Sequence, residues 1–364
     1  MRNVVWFFVV SALFMLFGGC QSDAEQSGSE ERLQVIATIF PQFDFIRQIA
    51  GDRVDLSMLI SPGAESHGFE PSPRDIVAMY GADLIVYVGG HGDTWLRPIL
   101  NSIGRDDMRT VALTDLVDVV LQEIVEGMEV HHTHDHHHEH GHHSHDHHDH
   151  DHDHDHDHNH NHDHDHDHDH HTHDHGHHHH GHHHDHEHDH YDEHVWTCPR
   201  NAITIVEALT DVLSEMDPAN ESFFRENADA FVSELRNLDR EFAQVVSEGV
   251  RRTVVFGDRF PFRYLTDTYG ITYFAAFTGC SAETQASPAT IAFLIDKVRN
   301  ENIPVIFHIE FSNLLIANTI ARETGARLVE MHSAHNVSHA DFNAGITYIE
   351  IMRRNVESLR EGLN

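Results

Sequence analysis

Apolar residues come in short runs along this chain, each separated from the next by a polar joint or by a stretch with helical spacing. LQVIATIF (33–40) reads as a buried strand ended by Pro41, and FDFIRQIAG as a helix that stops at Gly51. VDLSMLI (54–60) is a second strand, broken by Ser61, Pro62 and Gly63. Ser72, Pro73 and Asp75 form a helix start: a capping hydroxyl, a proline suited to the first turn and an acid at the positive end. That helix ends near Gly81, ADLIVYVGG (82–90) is the next strand, and VALTDLV (111–117) continues the series. Alternating strands and helices with short joints predict a parallel sheet covered on both faces.

A second series follows further along. A helix begins around Pro199 within residues 194–218. Phe224, Ala228, Phe231, Leu235, Leu238, Phe242 and Val245 then recur at three-and-four spacing, which predicts one long amphipathic helix over 219–248. After it come strands at 252–257 and 271–277 and a helix from 289 to 298, capped by Ser287 and Pro288. A strand at 303–309, a helix ending near Gly325, a strand at 326–331 and a last helix from about Ser338 to Leu363 complete the chain. Ser338 and Asp341 have capping-box spacing at its start. The fold class is therefore α/β: two parallel-sheet lobes, 32–218 and 249–364, joined by the helix 219–248. Ligands in open sheets of this kind bind beyond the carboxyl ends of the strands, which here means the cleft between the lobes.

Two segments fall outside this pattern. Residues 1–20, MRNVVWFFVVSALFMLFGGC, place one basic residue before an apolar run and two glycines before Cys20, as in a secretory signal peptide. Small residues directly before a cysteine resemble a bacterial lipobox, with Cys20 lipidated as the mature N-terminus; Phe17 stands where leucine is usual. Residues 21–31 are small and polar, as suits a tether. The expected location is outside the cytoplasm, anchored to a membrane by lipid. The other exception is 131–190, which holds 36 of the 43 histidines and 16 of the 60 acids and cannot bury a core. Imidazoles and carboxylates without fixed geometry make many weak, exchanging sites for transition metals.

More than half of the formal charge of −37 remains on the rest of the chain. Such a surface repels phosphate backbones, so nucleic acid is not an expected partner. Cys20, Cys198 and Cys280 form neither a disulfide framework nor a zinc knuckle, and the last two are expected to be separate, mostly buried thiols.

Seven histidines lie outside the tract. His67 follows the strand 54–60, His194 stands just before a helix start, and His332 directly follows the strand 326–331 with His335 three residues on. Zinc takes three or four N, S or O ligands, and these positions sit on joints that can converge in the cleft. His308 lies within a strand and reads as core; His91 and His339 read as loop and helix-start residues.

PGAESHGFEPSPRDI, DEHVWTCPRNAI, the long helix and IEFSN…ARETGARLVEMH resemble the zinc ABC transporter substrate-binding proteins of the cluster A-I type over essentially the whole mature chain. The resemblance implies two α/β lobes bridged by a rigid helix, with Zn²⁺ or Mn²⁺ bound between them and ligands at His67 and His194. It implies a third histidine where this chain has Gly257, which cannot ligate. The expected replacement is His332, whose position matches the family's fourth ligand, with His335 beside it and Asp258 or Glu310 as carboxylate alternatives. An imidazole-rich set favours Zn²⁺ over Mn²⁺. The expected function is one tight zinc site feeding an ABC permease and its ATPase, in a monomeric, non-enzymatic protein. Manganese or nickel uptake on the same scaffold, and a zinc-buffering lipoprotein, are the alternatives; a zinc hydrolase finds no HExxH helix here.

Overall fold

The computed structural model describes residues 32–64, 69–128, 191–279 and 285–364. The signal-peptide reading with Cys20, the tether, the tract, His67 and Cys280 lie outside them.

The first lobe is a sheet of four parallel strands, β1 (Gln34–Ala37), β2 (Asp55–Met58), β3 (Leu84–Tyr87) and β4 (Arg109–Ala112), in the order β2-β1-β3-β4. Helices α1 (Phe40–Ala50), α2 (Pro73–Tyr80) and α3 (Leu96–Ile103) connect them. Pro41 does not end the first strand as expected. It lies in the first turn of α1, where a missing N–H costs nothing, and the Gln42 side chain accepts from the Ile39 N–H at 3.0 Å. Ser72 caps α2 as predicted: its hydroxyl accepts from Asp75 N–H while Asp75 accepts from Ser72 N–H.

The chain leaves this lobe near residue 128 and returns at Tyr191, which bridges Leu121 in antiparallel fashion; Asp192 N–H donates to Val120 C=O at 2.9 Å. With its ends tied side by side, an insert of any length adds little closure cost. Helix α4 (Pro199–Met216) follows, then α5 (Glu221–Glu248), whose buried residues are the apolar stripe read from the sequence, with Val232 and Val246 added.

The second lobe repeats the first: β5 (Thr253–Phe260), β6 (Thr272–Thr278), β7 (Val305–His308) and β8 (Arg327–Glu330) are all parallel, in the order β6-β5-β7-β8. Helices α6 (Arg263–Tyr269), α7 (Pro288–Glu301) and α8 (Leu315–Thr324) connect them. The expected single final helix is two, α9 (His339–Ala344) and α10 (Tyr348–Leu363). Gly345 at φ 77° ends the first, and Thr347 with Glu350 forms a new capping box for the second. Among the described helices none is long and apolar enough to cross a membrane.

One apolar core runs through both lobes. Val35, Phe45 and Trp196 belong to the same buried cluster as Phe242 on α5 and Phe256 and Leu359 in the second lobe. Polar ties cross as well. Buried Asp44 on α1 accepts from the Tyr348 N–H at 2.6 Å, and Arg47 donates to the Ile346 carbonyl at 2.6 Å. Burial pushes the Asp44 pKa above its usual value, against the pull of Arg47 and the Tyr348 N–H.

Candidate metal centre

His194 is fixed before any ion is considered. It precedes a short 3₁₀ turn, Val195–Thr197, that leads into α4. The ring is buried, and its Nδ1 lies 3.0 Å from Asp192 Oδ1, which also accepts the His194 N–H at 2.9 Å. A carboxylate oxygen only accepts, so Nδ1 donates to Asp192 and the ring orientation is held by that bond. Tyr264 Oη donates to the Asp192 carbonyl at 2.6 Å, and Thr197 Oγ1 to the His194 carbonyl at 2.8 Å.

His335 meets it from the second lobe. The two ring centres are 5.8 Å apart at 74°, and Trp196 packs against both, at 5.4 Å from His194 and 5.2 Å from His335. Two imidazoles sharing a tetrahedral zinc at Zn–N distances of about 2.0–2.1 Å hold their centres roughly 5 Å apart. The observed separation of the two rings is close to that spacing.

His332 is placed otherwise than the sequence suggested. It is not among the residues lining the cavity on which His194 and His335 open. Its Nδ1 accepts the Ala334 N–H at 2.9 Å, and its main chain is held by Asn355, with His332 N–H to Oδ1 at 2.8 Å and Nδ2 to the His332 carbonyl at 2.7 Å. It shapes the turn. Ala334, in the left-handed region at φ 59°, then carries the chain round to His335.

That cavity, of about 380 Å³, is also lined by Gly257, Asp258, Arg259 and Glu310. Gly257 lies on β5 against α8, and a Cβ there would meet Ala317 Cα at 2.5 Å. No side chain fits at the position where the resemblance implies a histidine. Gly279 is similar, since a Cβ would stand 2.9 Å from His194 Cε1 and crowd the ring. Both carboxylates already have partners: Glu310 accepts from the Ser333 N–H at 2.7 Å and from the Ser333 hydroxyl, and Asp258 accepts from the Arg259 N–H at 2.8 Å.

His67 lies outside the described residues, three positions after Ala64, which lines the cavity. Asn336, one residue past His335, donates its amide to both the Ser61 and the Ala64 carbonyls at 2.9 Å, and the Gly63 N–H donates to the Val337 carbonyl at 2.8 Å. The second lobe thus grips the segment that leads to His67. Among the described residues no three His, Cys, Asp or Glu side chains are gathered as a set for an ion.

Sequence reasoning missed Asp192, Trp196 and Asn336. Asp192 had a readable signal, an acid two residues before a ligand candidate. The roles of Trp196 and Asn336 depend on contacts between distant parts of the chain. His308 ends β7 with Nδ1 3.0 Å from the Ile309 carbonyl, and the His91 N–H donates to Glu193. Cys198 is buried, with its sulfur 3.2 Å from Thr268 Oγ1.

The family model described as zinc-uptake complex component A, periplasmic, matches residues 35–362. Among curated proteins, the zinc-binding lipoprotein AdcA of Streptococcus pneumoniae (strain R6) is 27% identical over 350 residues, which is 96% of this chain and 58% of that protein. The chain thus spans little more than half of that relative's length. The high-affinity zinc uptake system protein ZnuA of Bacillus subtilis (strain 168) is 26% identical over 359 residues, 98% of this chain and 96% of that one. Of solved structures, the Zn(II)-bound ZnuA-like domain of S. pneumoniae AdcA aligns with a TM-score of 0.64 at 24% identity, over 91% of this chain and 99% of that one. The B. subtilis metal-dependent lipoprotein YcdH aligns at 0.66 and 22%, again over 91% and 99%. At such identities the likeness shows a shared fold.

Proposed function

The chain belongs to the ZnuA family, zinc-uptake complex component A, periplasmic, and from that premise we propose that it captures one Zn²⁺ ion outside the cytoplasm and passes it to a membrane permease driven by an ATPase. The family is one of solute-binding transport proteins, and we assign this member no catalytic step. Its donors are His194 and His335, joined by His67 from the segment that Asn336 grips. His332 supports the turn behind them.

The pairing of His194 with His335, one from each lobe, carries this reading. Asp192 orients the His194 ring through Nδ1, and the spacing of the rings is near that of two imidazoles on one tetrahedral ion. Neutral imidazole is the form that binds, so loading weakens as pH falls through the histidine range. The tract acts as a collecting surface of many weak sites. Cys20 carries the lipid that keeps the protein at the membrane, so Cys20→Ala releases it to the soluble fraction.

Calorimetry on a variant lacking residues 131–190 tests the centre. One tight zinc site is expected to survive the deletion and to be lost in His194→Ala, with His335→Ala and His67→Ala each weakening it by at least about tenfold. Tight binding that persists in all three substitutions would end the proposal. Tight binding that disappears with the tract would identify a buffering protein instead.

A further inference from the structure

His335 reaches the centre at the end of a strained turn. Ala334 stands in the left-handed region at φ 59°, a conformation that is costly for a residue with a Cβ and persists only where its surroundings hold it. What holds it can be followed bond by bond. The His332 main chain is tied to Asn355 on α10, and the Ala334 N–H donates to His332 Nδ1. The Ser333 carbonyl accepts from Trp196 Nε1 at 2.9 Å, and the His335 carbonyl accepts from the Phe40 N–H at 3.3 Å.

Glu310 supplies the charge. It follows β7, at the carboxyl end of the sheet, and is buried. One of its oxygens accepts the Ser333 N–H at 2.7 Å and the other accepts the Ser333 hydroxyl. The same Ser333 Oγ accepts the His335 N–H at 3.1 Å. A hydroxyl donates once and accepts as well, so the bonds run in one direction, from the His335 main chain to Ser333 Oγ and from Ser333 Oγ–H to Glu310. His332 Nδ1 lies 3.5 Å from the same carboxylate but is already the acceptor of the Ala334 N–H.

Hydrogen bonds to an ionised acceptor are about twice as strong as neutral ones, and bonds in series reinforce one another. Glu310 lines the cavity on which His194 and His335 open, yet each of its oxygens is engaged in the turn. A carboxylate so placed has a use other than ligation. Groups that orient a metal's ligands from behind are worth about 10–100-fold in affinity.

We propose that Glu310 is a positioning residue of the centre: acting through the Ser333 hydroxyl, it fixes the turn that sets the His335 ring at its distance from His194, and it does not itself take the ion. Ser333 is the joint. Trp196, which packs on both rings, holds its carbonyl, while Glu310 holds its N–H and its hydroxyl. The inference rests on the zinc-binding reading above and adds to it how the second imidazole is held.

Competition for zinc against a tight chromophoric chelator tests it on the full-length protein, with zinc kept below one equivalent so that the tight site and not the tract sets the result. Denaturant melts of the zinc-free proteins, run alongside, separate loss of folding from loss of binding. Glu310→Ala and Ser333→Ala are each expected to weaken zinc at least about tenfold. The double variant is expected to bind about as well as the weaker single one, because both changes remove the same relay. Glu310→Gln keeps the shape and one acceptor, and is expected to fall between wild type and Glu310→Ala. Were Glu310 a ligand, Ser333→Ala would keep wild-type affinity while both Glu310 variants lost it, and that pattern overturns the inference. So do losses that multiply in the double variant, or melts that shift with zinc affinity unchanged. If such a result comes with tight binding that still depends on His194, the transport reading stands and only the role of Glu310 falls. If no tight binding depends on His194, both fall together.

Discussion

The imidazoles of His194 and His335, 141 positions apart in the chain, meet edge to face with ring centres 5.8 Å apart. Trp196 sets that distance. Its indole is fully buried against both rings, its Nε1 donates to the Ser333 carbonyl at 2.9 Å, and its own carbonyl accepts from Tyr348 Oη at 2.6 Å. Trp196→Phe keeps an aromatic ring there but leaves the Ser333 carbonyl unmatched, at a cost of about 1–3 kcal/mol in stability. Trp196→Ala opens a cavity and costs about 3–5 kcal/mol. Denaturant melts give the stability and zinc titration the metal affinity; both substitutions are expected to lower both, alanine more.

Asn336 ties the turn after His335 to the Ser61–Ala64 segment of the first lobe. Asn336→Ala removes its hydrogen bonds to the Ser61 and Ala64 carbonyls. A loss of about 1–3 kcal/mol follows, together with faster zinc release, because the segment leading to His67 is no longer gripped. Stopped-flow transfer of zinc to a chromophoric chelator measures the release. An unchanged rate would show that the grip plays no part in retention.

Gly257→His tests whether the pattern implied by the family resemblance can be restored. A side chain there meets the backbone of Ala317, so the substitution is expected to push α8 off β5 and destabilise the protein by about 1–3 kcal/mol or more. Zinc affinity is not expected to rise. A stable variant that binds zinc more tightly would refute this account of the β5–α8 contact.

Asp93 gives a pH signature that can be read in the zinc-free protein. Its Oδ2 accepts the Val88 and Gly89 N–H groups at 2.8 and 3.0 Å, but burial, helped by the nearby Glu193 carboxylate, lifts its pKa to about 6. A carboxyl whose pKa is higher folded than unfolded binds more protons in the native state. Stability therefore falls as pH rises from about 4 to about 6, by about 1–3 kcal/mol for this group. Asp93→Asn keeps an oxygen for both N–H groups and loses that dependence. Melts of the zinc-free protein across this range should show the variant gaining on the wild type above pH 6.

Much of this fold is legible in the sequence because its signals are local. Ser72, Ser287 and Ser338 each accept the predicted backbone N–H at a helix start. The spacing from Phe224 to Val245 gave the length of α5 within two residues at its start. Short helices such as α3 and α6, eight and seven residues long, had too few turns for a period to emerge. The break between α9 and α10 had a signal, Gly345 followed by Thr347 and Glu350, but unbroken apolar spacing hid it. The candidate site was legible only in part. Position after a strand singled out both His332 and His335, but a single left-handed alanine between them decides which ring reaches the cavity, and nothing in an alanine announces φ 59°.

The shared core has a bearing on how the proposed cargo would be surrendered. Because the packing of α5 continues into both sheets, prying the halves apart would breach the interior of the protein, at the expense of a large part of its folding free energy. On the proposed transport role, release would then leave this shared interior intact, and the body of the protein would stay rigid from loading to delivery.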